Sequence, residues 1–254
     1  MNIEIFSTRY NIAQKISVIN NFLLIIITII QLLDMFLLGL SAYNLWDCIT
    51  RLNIGLMFLV VFFSLLGEIL IFSARSNTSQ SVLDNSFNTC IALCQPDAGY
   101  YDNDRIKPGF KKLLYNLCES CFFSKAILGK MLCYEFLKVI MILIVFLFAL
   151  CANNTNILLF IIQSVLVCTF VTSFIKHLFV YNSLHSIEFN LRSLINGFVE
   201  NEIVKQQIII EFVNYESALL WLNTTLNSRI YNKHKKQLTD EWIQFVNRVE
   251  NNNE

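Results

Sequence analysis

Thirty-seven consecutive residues, Val139 to Ile175, carry no Lys, Arg, Asp or Glu. A helix crosses a hydrocarbon core with about 20 apolar residues, so this run is too long for one span and too apolar for a solvated loop. Asn153-Asn154-Thr155-Asn156 divides it, a tetrad that favours a turn over a helix. Two spans are therefore expected, at 134–152 and 157–178, joined by a tight hairpin. The same test finds two earlier ones. Ile16–Trp46 is interrupted only by Asp34, and Leu52–Arg75 only by Glu68 before its final Arg. These predict spans at 18–43 and 52–73. The first run exceeds the roughly 7–15 residues of a signal-peptide core and lacks a small-x-small cleavage site, so it is expected to stay as a span.

Composition agrees. Hydrophobic residues make up 55 % of the chain and charged residues 15 %, too apolar for disorder. Basic and acidic residues balance at 19 each, which excludes a strongly basic nucleic-acid module. Eight Cys in 254 residues are too sparse for a secreted disulfide scaffold. With both termini cytoplasmic, Arg51 is the single basic residue of 19 left outside, as the positive-inside rule requires.

The expected fold is an all-α membrane protein with four transmembrane helices and a helical cytoplasmic module. Its parts are an N-terminal cytoplasmic helix (1–17), hairpin 1 (18–73), a cytoplasmic insert (74–133), hairpin 2 (134–178) and a cytoplasmic tail (179–254). In the insert, helices are expected near 80–94 and 109–131, separated by an irregular stretch around Pro96 and Pro108. In the tail, span 4 is expected to continue past the membrane, followed by helices near 202–227 and 236–250 and disorder from Asn251 to Glu254.

Ionisable residues inside a span usually face a bundle interior or a water-filled cavity. On span 1, Asn20, Gln31, Asp34 and Ser41 fall within about 80° of arc at ~100° per residue. On span 2, Asn53, Ser64, Glu68 and Arg75 fall within about 60°. Asn20, Gln31, Asp34, Ser41, Ser64 and Glu68 are the candidate pore-lining residues, and rings of Asp or Glu would favour cations. The same stripes could instead bond one helix to the next. Span 4 carries a weaker stripe, Thr169, Thr172, Ser173 and Lys176. Span 3 is almost wholly apolar and is expected to face lipid.

Arg229, Lys233, Lys235 and Lys236, with Tyr231 among them and Trp242 beyond, form a basic run that could grip phosphates while an aromatic stacks on a base. A solvated helix start touching anionic lipid would look the same. Arg105, Lys107, Lys111 and Lys112 compete for that role. Cys90, Cys94, Cys118 and Cys121 have a spacing that could hold zinc, but also one that suits packed helix faces. His177 and His185 have no Cys or carboxylate at ligand spacing. Nucleotide-loop, zinc-protease and serine-hydrolase motifs are absent, so neither an enzyme nor a cofactor is expected.

The layout is two spans, a cytoplasmic insert, two spans joined by a tight turn, and a helical tail. Together with Ala13-Gln-Lys15, Glu119-Ser-Cys-Phe-Phe-Ser-Lys125 and Arg229-Ile-Tyr-Asn-Lys-His-Lys-Lys-Gln-Leu238 to Trp242, it resembles the SMODS-associated four-transmembrane pore-forming effectors of bacterial anti-phage systems. That resemblance implies a homo-oligomeric effector in the bacterial inner membrane. It would be opened or closed by a nucleotide or short oligonucleotide from a partner nucleotidyltransferase. A non-conducting scaffold or receptor subunit that anchors a cytoplasmic partner would have the same topology.

Overall fold

The computed structural model describes residues 3–38, 43–90, 105–151, 157–222 and 226–252. They form six helices: α1 (Ile3–Leu38), α2 (Tyr43–Phe87), α3 (Phe110–Cys151), α4 (Ile157–Asn196), α5 (Glu202–Leu222) and α6 (Ser228–Asn252). No strand occurs among the described residues. The expected turn at 153–156, Pro96, Cys94 and Ser41 lie outside them, as do the side chains of Gln31 and Asp34.

α1 packs antiparallel on α2, and α3 on α4; α2 meets α3 between the two hairpins, and α5 lies along α4. The register of the first hairpin is set by the Asn20–Ser64 hydrogen bond and by buried Gly67, where an added Cβ would stand 3.6 Å from Ile16 Cγ2.

Two expected helix breaks do not occur. The span near 52–73 and the helix near 80–94 are one helix, α2, and the helix near 109–131 runs unbroken into α3's apolar half. The Ser/Thr-rich stretch after Ser73 stays helical because its hydroxyls bond back to the preceding turn. Thr78 donates to the Ala74 carbonyl at 3.1 Å and Ser79 to that of Arg75 at 2.9 Å. α2 instead ends at Asn88, whose φ of 56° is the left-handed cap conformation, with the Thr89 amide reaching back to the Asp84 carbonyl at 3.2 Å. Gly109, at φ 144°, then donates to the Ser86 carbonyl at 2.8 Å and ties the start of α3 to the end of α2.

α6 begins eight residues before its expected start at 236, because Asn227 caps it: the side-chain oxygen accepts from the Arg229 and Ile230 amides at 2.9 and 3.2 Å. It also runs through Asn251 and Asn252, which were expected to be disordered.

The apolar side chains form two cores. The larger is built from the N-terminal half of α3 and the C-terminal half of α4 with α5, α6 and the end of α2, around Leu114, Leu117, Leu184, Leu191, Ile208 and Trp242. The smaller joins Leu24, Ile27, Val60, Val139, Ile142 and Phe170 of α1 to α4. Around the smaller core the apolar surface is turned outward, as at Phe22, Phe58, Phe62, Ile69, Phe136 and Leu137. Asn11–Ile30 of α1 and Arg51–Phe87 of α2 are long and apolar enough to cross a membrane. The spans expected at 134–152 and 157–178 fall partly on side chains outside the described set.

Candidate functional site

Among the described residues, the backbones of α1 and α4 stand apart, although their side chains share the smaller core. The space between the hairpins is a cleft of about 1510 Å³, lined by α1, α2, α3, α4 and the start of α6. Its upper wall is apolar, with Leu24, Phe63 and Phe170; its lower wall mixes apolar side chains such as Ile71, Met131 and Leu222 with the charged Lys15, Glu68, Lys176 and Arg229.

Asn20 and Ser64, one from each predicted stripe, meet here: Asn20 Nδ2 donates to Ser64 Oγ at 2.9 Å, and Asn20 Oδ1 has no partner. Glu68 lies one helical turn further along α2, exposed and on the same wall. From α3, Lys138 reaches in, bonded to Glu135 at 2.6 Å and to Asn21 Oδ1 at 3.5 Å. From α4 come Thr169, Thr172, Ser173 and Lys176, the stripe that sequence weighting placed last. α3, expected to face lipid, supplies Glu135 and Lys138 to the cleft and buries Val139 and Ile142.

The rest of the span 2 stripe goes elsewhere. Asn53 is 1 % exposed with neither amide atom bonded. Arg75 is buried beside Glu216 of α5, whose carboxyl is pushed up by burial while Arg75 and Ser79 pull it down.

The basic run on α6 divides. Arg229 lines the cleft, whereas Lys233, Lys235 and Lys236 are exposed on helix surface outside its lining. Tyr231 packs its ring 6.1 Å from that of Phe123, with Lys235 Nζ 5.8 Å from its centroid; burial, and then Glu119, raise its hydroxyl pKa. Trp242 is buried and stacks on Phe122 at 6.2 Å. Of the competing group, Arg105, Lys107 and Lys111 are exposed and Lys112 is buried.

α6 is positioned by a buried charge cluster. The Glu188 carboxylate, 4 % exposed, pairs with Lys125 of α3 and with Arg192 one turn on at 2.7 Å. The Arg192 guanidinium lies 4.3 Å from the centroid of Phe245 on α6 and 5.4 Å from that of Phe122 on α3. This sandwich fixes α6 on α3 and α4, and so holds Arg229 in the lining of the cleft.

Cys118 and Cys121 lie in the larger core, and Cys121 Sγ–H donates to the Leu184 carbonyl at 3.3 Å. Burial pushes both thiols well up, so they are kept protonated and serve packing. Cys90 is exposed. No group of three or more metal-ligating side chains occurs among the described residues.

No protein family, curated protein or solved structure matches the chain. The residues that sequence reasoning missed, Lys15, Glu135, Lys138 and His177, share the cleft with those it found. Each is unremarkable on its own helix, and only the facing of the two hairpins groups them.

Proposed function

We propose that the chain crosses the bacterial inner membrane four times, with both termini cytoplasmic. The cleft is then the cytoplasmic vestibule of an ion path in a homo-oligomeric effector of anti-phage defence. A nucleotide or short oligonucleotide from a partner nucleotidyltransferase controls the path. The observation that carries this reading is the cleft itself, which sets Glu68, Lys138 and Lys176 among apolar side chains at the level where helices carrying outward apolar side chains would enter the bilayer. The resemblance noted above supplies the signal.

One contact favours the alternative, a non-conducting scaffold: the Asn20–Ser64 bond joins the two stripes within one chain, as a helix-sealing pair would. Planar-bilayer recordings separate the two, made with cyclic dinucleotides and short oligonucleotides titrated from each side. Conduction in at least one state, with cation preference altered by Asp34→Asn while oligomer size is kept, is the expected result. A parent protein silent in every state leaves the scaffold.

Orientation has its own test. Cys48 and Cys90 are both exposed and lie on either side of α2's apolar segment, Cys90 just beyond the end of the helix. An impermeant maleimide added to intact cells should modify Cys48 and spare Cys90. Modification of Cys90 reverses the topology and removes the cytoplasmic vestibule.

A further inference from the structure

The charges lining the cleft do not cancel. Lys15, Lys138, Lys176 and Arg229 face two carboxylates, Glu68 and Glu135. Glu135 is taken by Lys138. Glu68 stands on α2 at the level of Lys15, by the register that Asn20–Ser64 and Ile16–Gly67 set. The side chains of Lys176 and Arg229 have no ion pair or hydrogen bond among the described residues.

α6 adds a field of the same sign. Asn227, Ser228, Arg229 and Ile230 line the cleft, so this 25-residue helix presents the positive end of its dipole there. Asn227 already caps two of its amides, and Ser228 Oγ donates to Gln14 Oε1 at 3.1 Å. What remains for a ligand is the dipole and the two free cations, rather than a nest of bare N–H groups.

An independent mark lies on the facing helix. His177 lines the cleft and is 2 % exposed. Its Nδ1–H donates to the Ser173 carbonyl at 2.8 Å, and Nε2 has no partner. A buried polar atom left unbonded is costly, so its position beside uncompensated cations points to a partner that comes from outside the chain.

We infer that the cleft binds a phosphate-bearing ligand, with the phosphate held between Lys176 and Arg229, Lys15 at the mouth and His177 behind. Arg with Lys suits phosphate oxygens, Arg by a forked pair of N–H bonds and Lys as a point charge. A volume of about 1510 Å³ leaves room for more than the phosphate, and the apolar upper wall can cover an acyl chain or a base. Two sources share this chemistry: an anionic phospholipid headgroup and a soluble phosphate compound. The inference deepens the signal-controlled reading by moving the phosphate from the exposed α6 lysines into the cleft. It rests on that reading's membrane placement only for the lipid source, and binding is read separately from conduction.

The full-length protein in phosphatidylcholine nanodiscs is titrated with inorganic pyrophosphate by calorimetry. In parallel, phosphatidylglycerol is added to the discs and retained lipid is counted by native mass spectrometry. Binding in either arm is expected. Lys176→Gln with Arg229→Gln should weaken it about tenfold or more, and Lys235→Gln with Lys236→Gln should leave it unchanged. Because the cleft variants could misfold, a second measurement uses the unaltered chain: Cys168 lines the cleft and Cys90 does not. Occupancy should slow alkylation of Cys168 relative to Cys90. Pyrophosphate binding alone assigns a soluble ligand, and phosphatidylglycerol retention alone assigns a lipid. The inference is overturned if neither probe binds, if the cleft pair binds as the parent does, or if occupancy leaves Cys168 alkylation unchanged. Binding lost in the Lys235/Lys236 variant would place the site on the exposed lysines of α6, outside the cleft, and overturn it as well. Binding without conductance would retain the site and remove the ion path.

Discussion

Glu188→Ala should destabilise the folded protein by about 3 kcal/mol, read by denaturant titration in detergent. Removing one partner of a buried ion pair typically costs ~3–5 kcal/mol, because the remaining charge is left desolvated. Here the side chains of Lys125 and Arg192 stay 21 % and 31 % exposed and can turn to water, which sets the expectation at the low end. The effect should also be directional. Without Glu188, Arg192 is no longer held between Phe122 and Phe245, so amide exchange in α6 should accelerate more than in α3. Glu188→Gln keeps a hydrogen-bond acceptor and should cost less than half as much. A loss in Glu188→Ala below about 1 kcal/mol, the range of a surface pair, would mean that aromatic packing alone fixes α6.

Charge reversal at Glu68 has the other large expected effect, on ion entry. Glu68 is the cleft carboxylate not engaged by Lys138. One unit charge at ~8 Å and an effective dielectric of ~20 is worth about 2 kcal/mol, and Glu68→Lys changes the local charge by two. Cation conductance should fall about tenfold or more at low ionic strength and recover partly in high salt, which screens the field. Glu68→Gln should give a smaller change of the same sign. Because the side chain is exposed, neither variant should alter oligomer size or helix content. Reversal potentials in a potassium chloride gradient measure the effect. Unchanged selectivity in both variants would exclude this wall from the conduction path.

Helices were legible wherever charge and periodicity spoke together. The uncharged runs marked the apolar halves of α1 to α4, and the apolar repeat from Leu184 to Ile195 marked the continuation of α4. Junctions were harder. Ser and Thr after Ser73 read as a boundary, because their turn preference is visible in sequence and their bonding to the preceding helical turn is not. Lys233 to Lys236 read as a ligand run preceding a helix, although Asn227 was the capping signal that starts α6 earlier. For the cleft, periodicity found Asn20, Ser64 and Glu68, because each stripe lies on one helix. It could not find Lys138 or His177, because their role depends on which helices stand across an open space. Gln31, Asp34 and Ser41 fall outside the described side chains, so the far half of the span 1 stripe has no structural placement.

The unbroken course of α2 has a mechanical consequence. At ~1.5 Å rise per residue, its 45 residues make a rod of about 67 Å. Its C-terminal end is clamped in the larger core through Val82 and the Gly109–Ser86 bond, and its middle passes the cleft at Ser64 and Glu68. Such a rod is a lever. Pivoting it by ~5° about its middle displaces each end by roughly 3 Å, somewhat more than the ~1–2 Å helix shifts that accompany switching at interfaces. A ligand that draws α6 and α4 together needs no relay of side chains to reach the apolar half of the molecule. The stiffness of the backbone carries the displacement, and a Gly-Pro pair inserted near Ser76 would act as a clutch, leaving ligand binding in place while disconnecting it from whatever α2 moves.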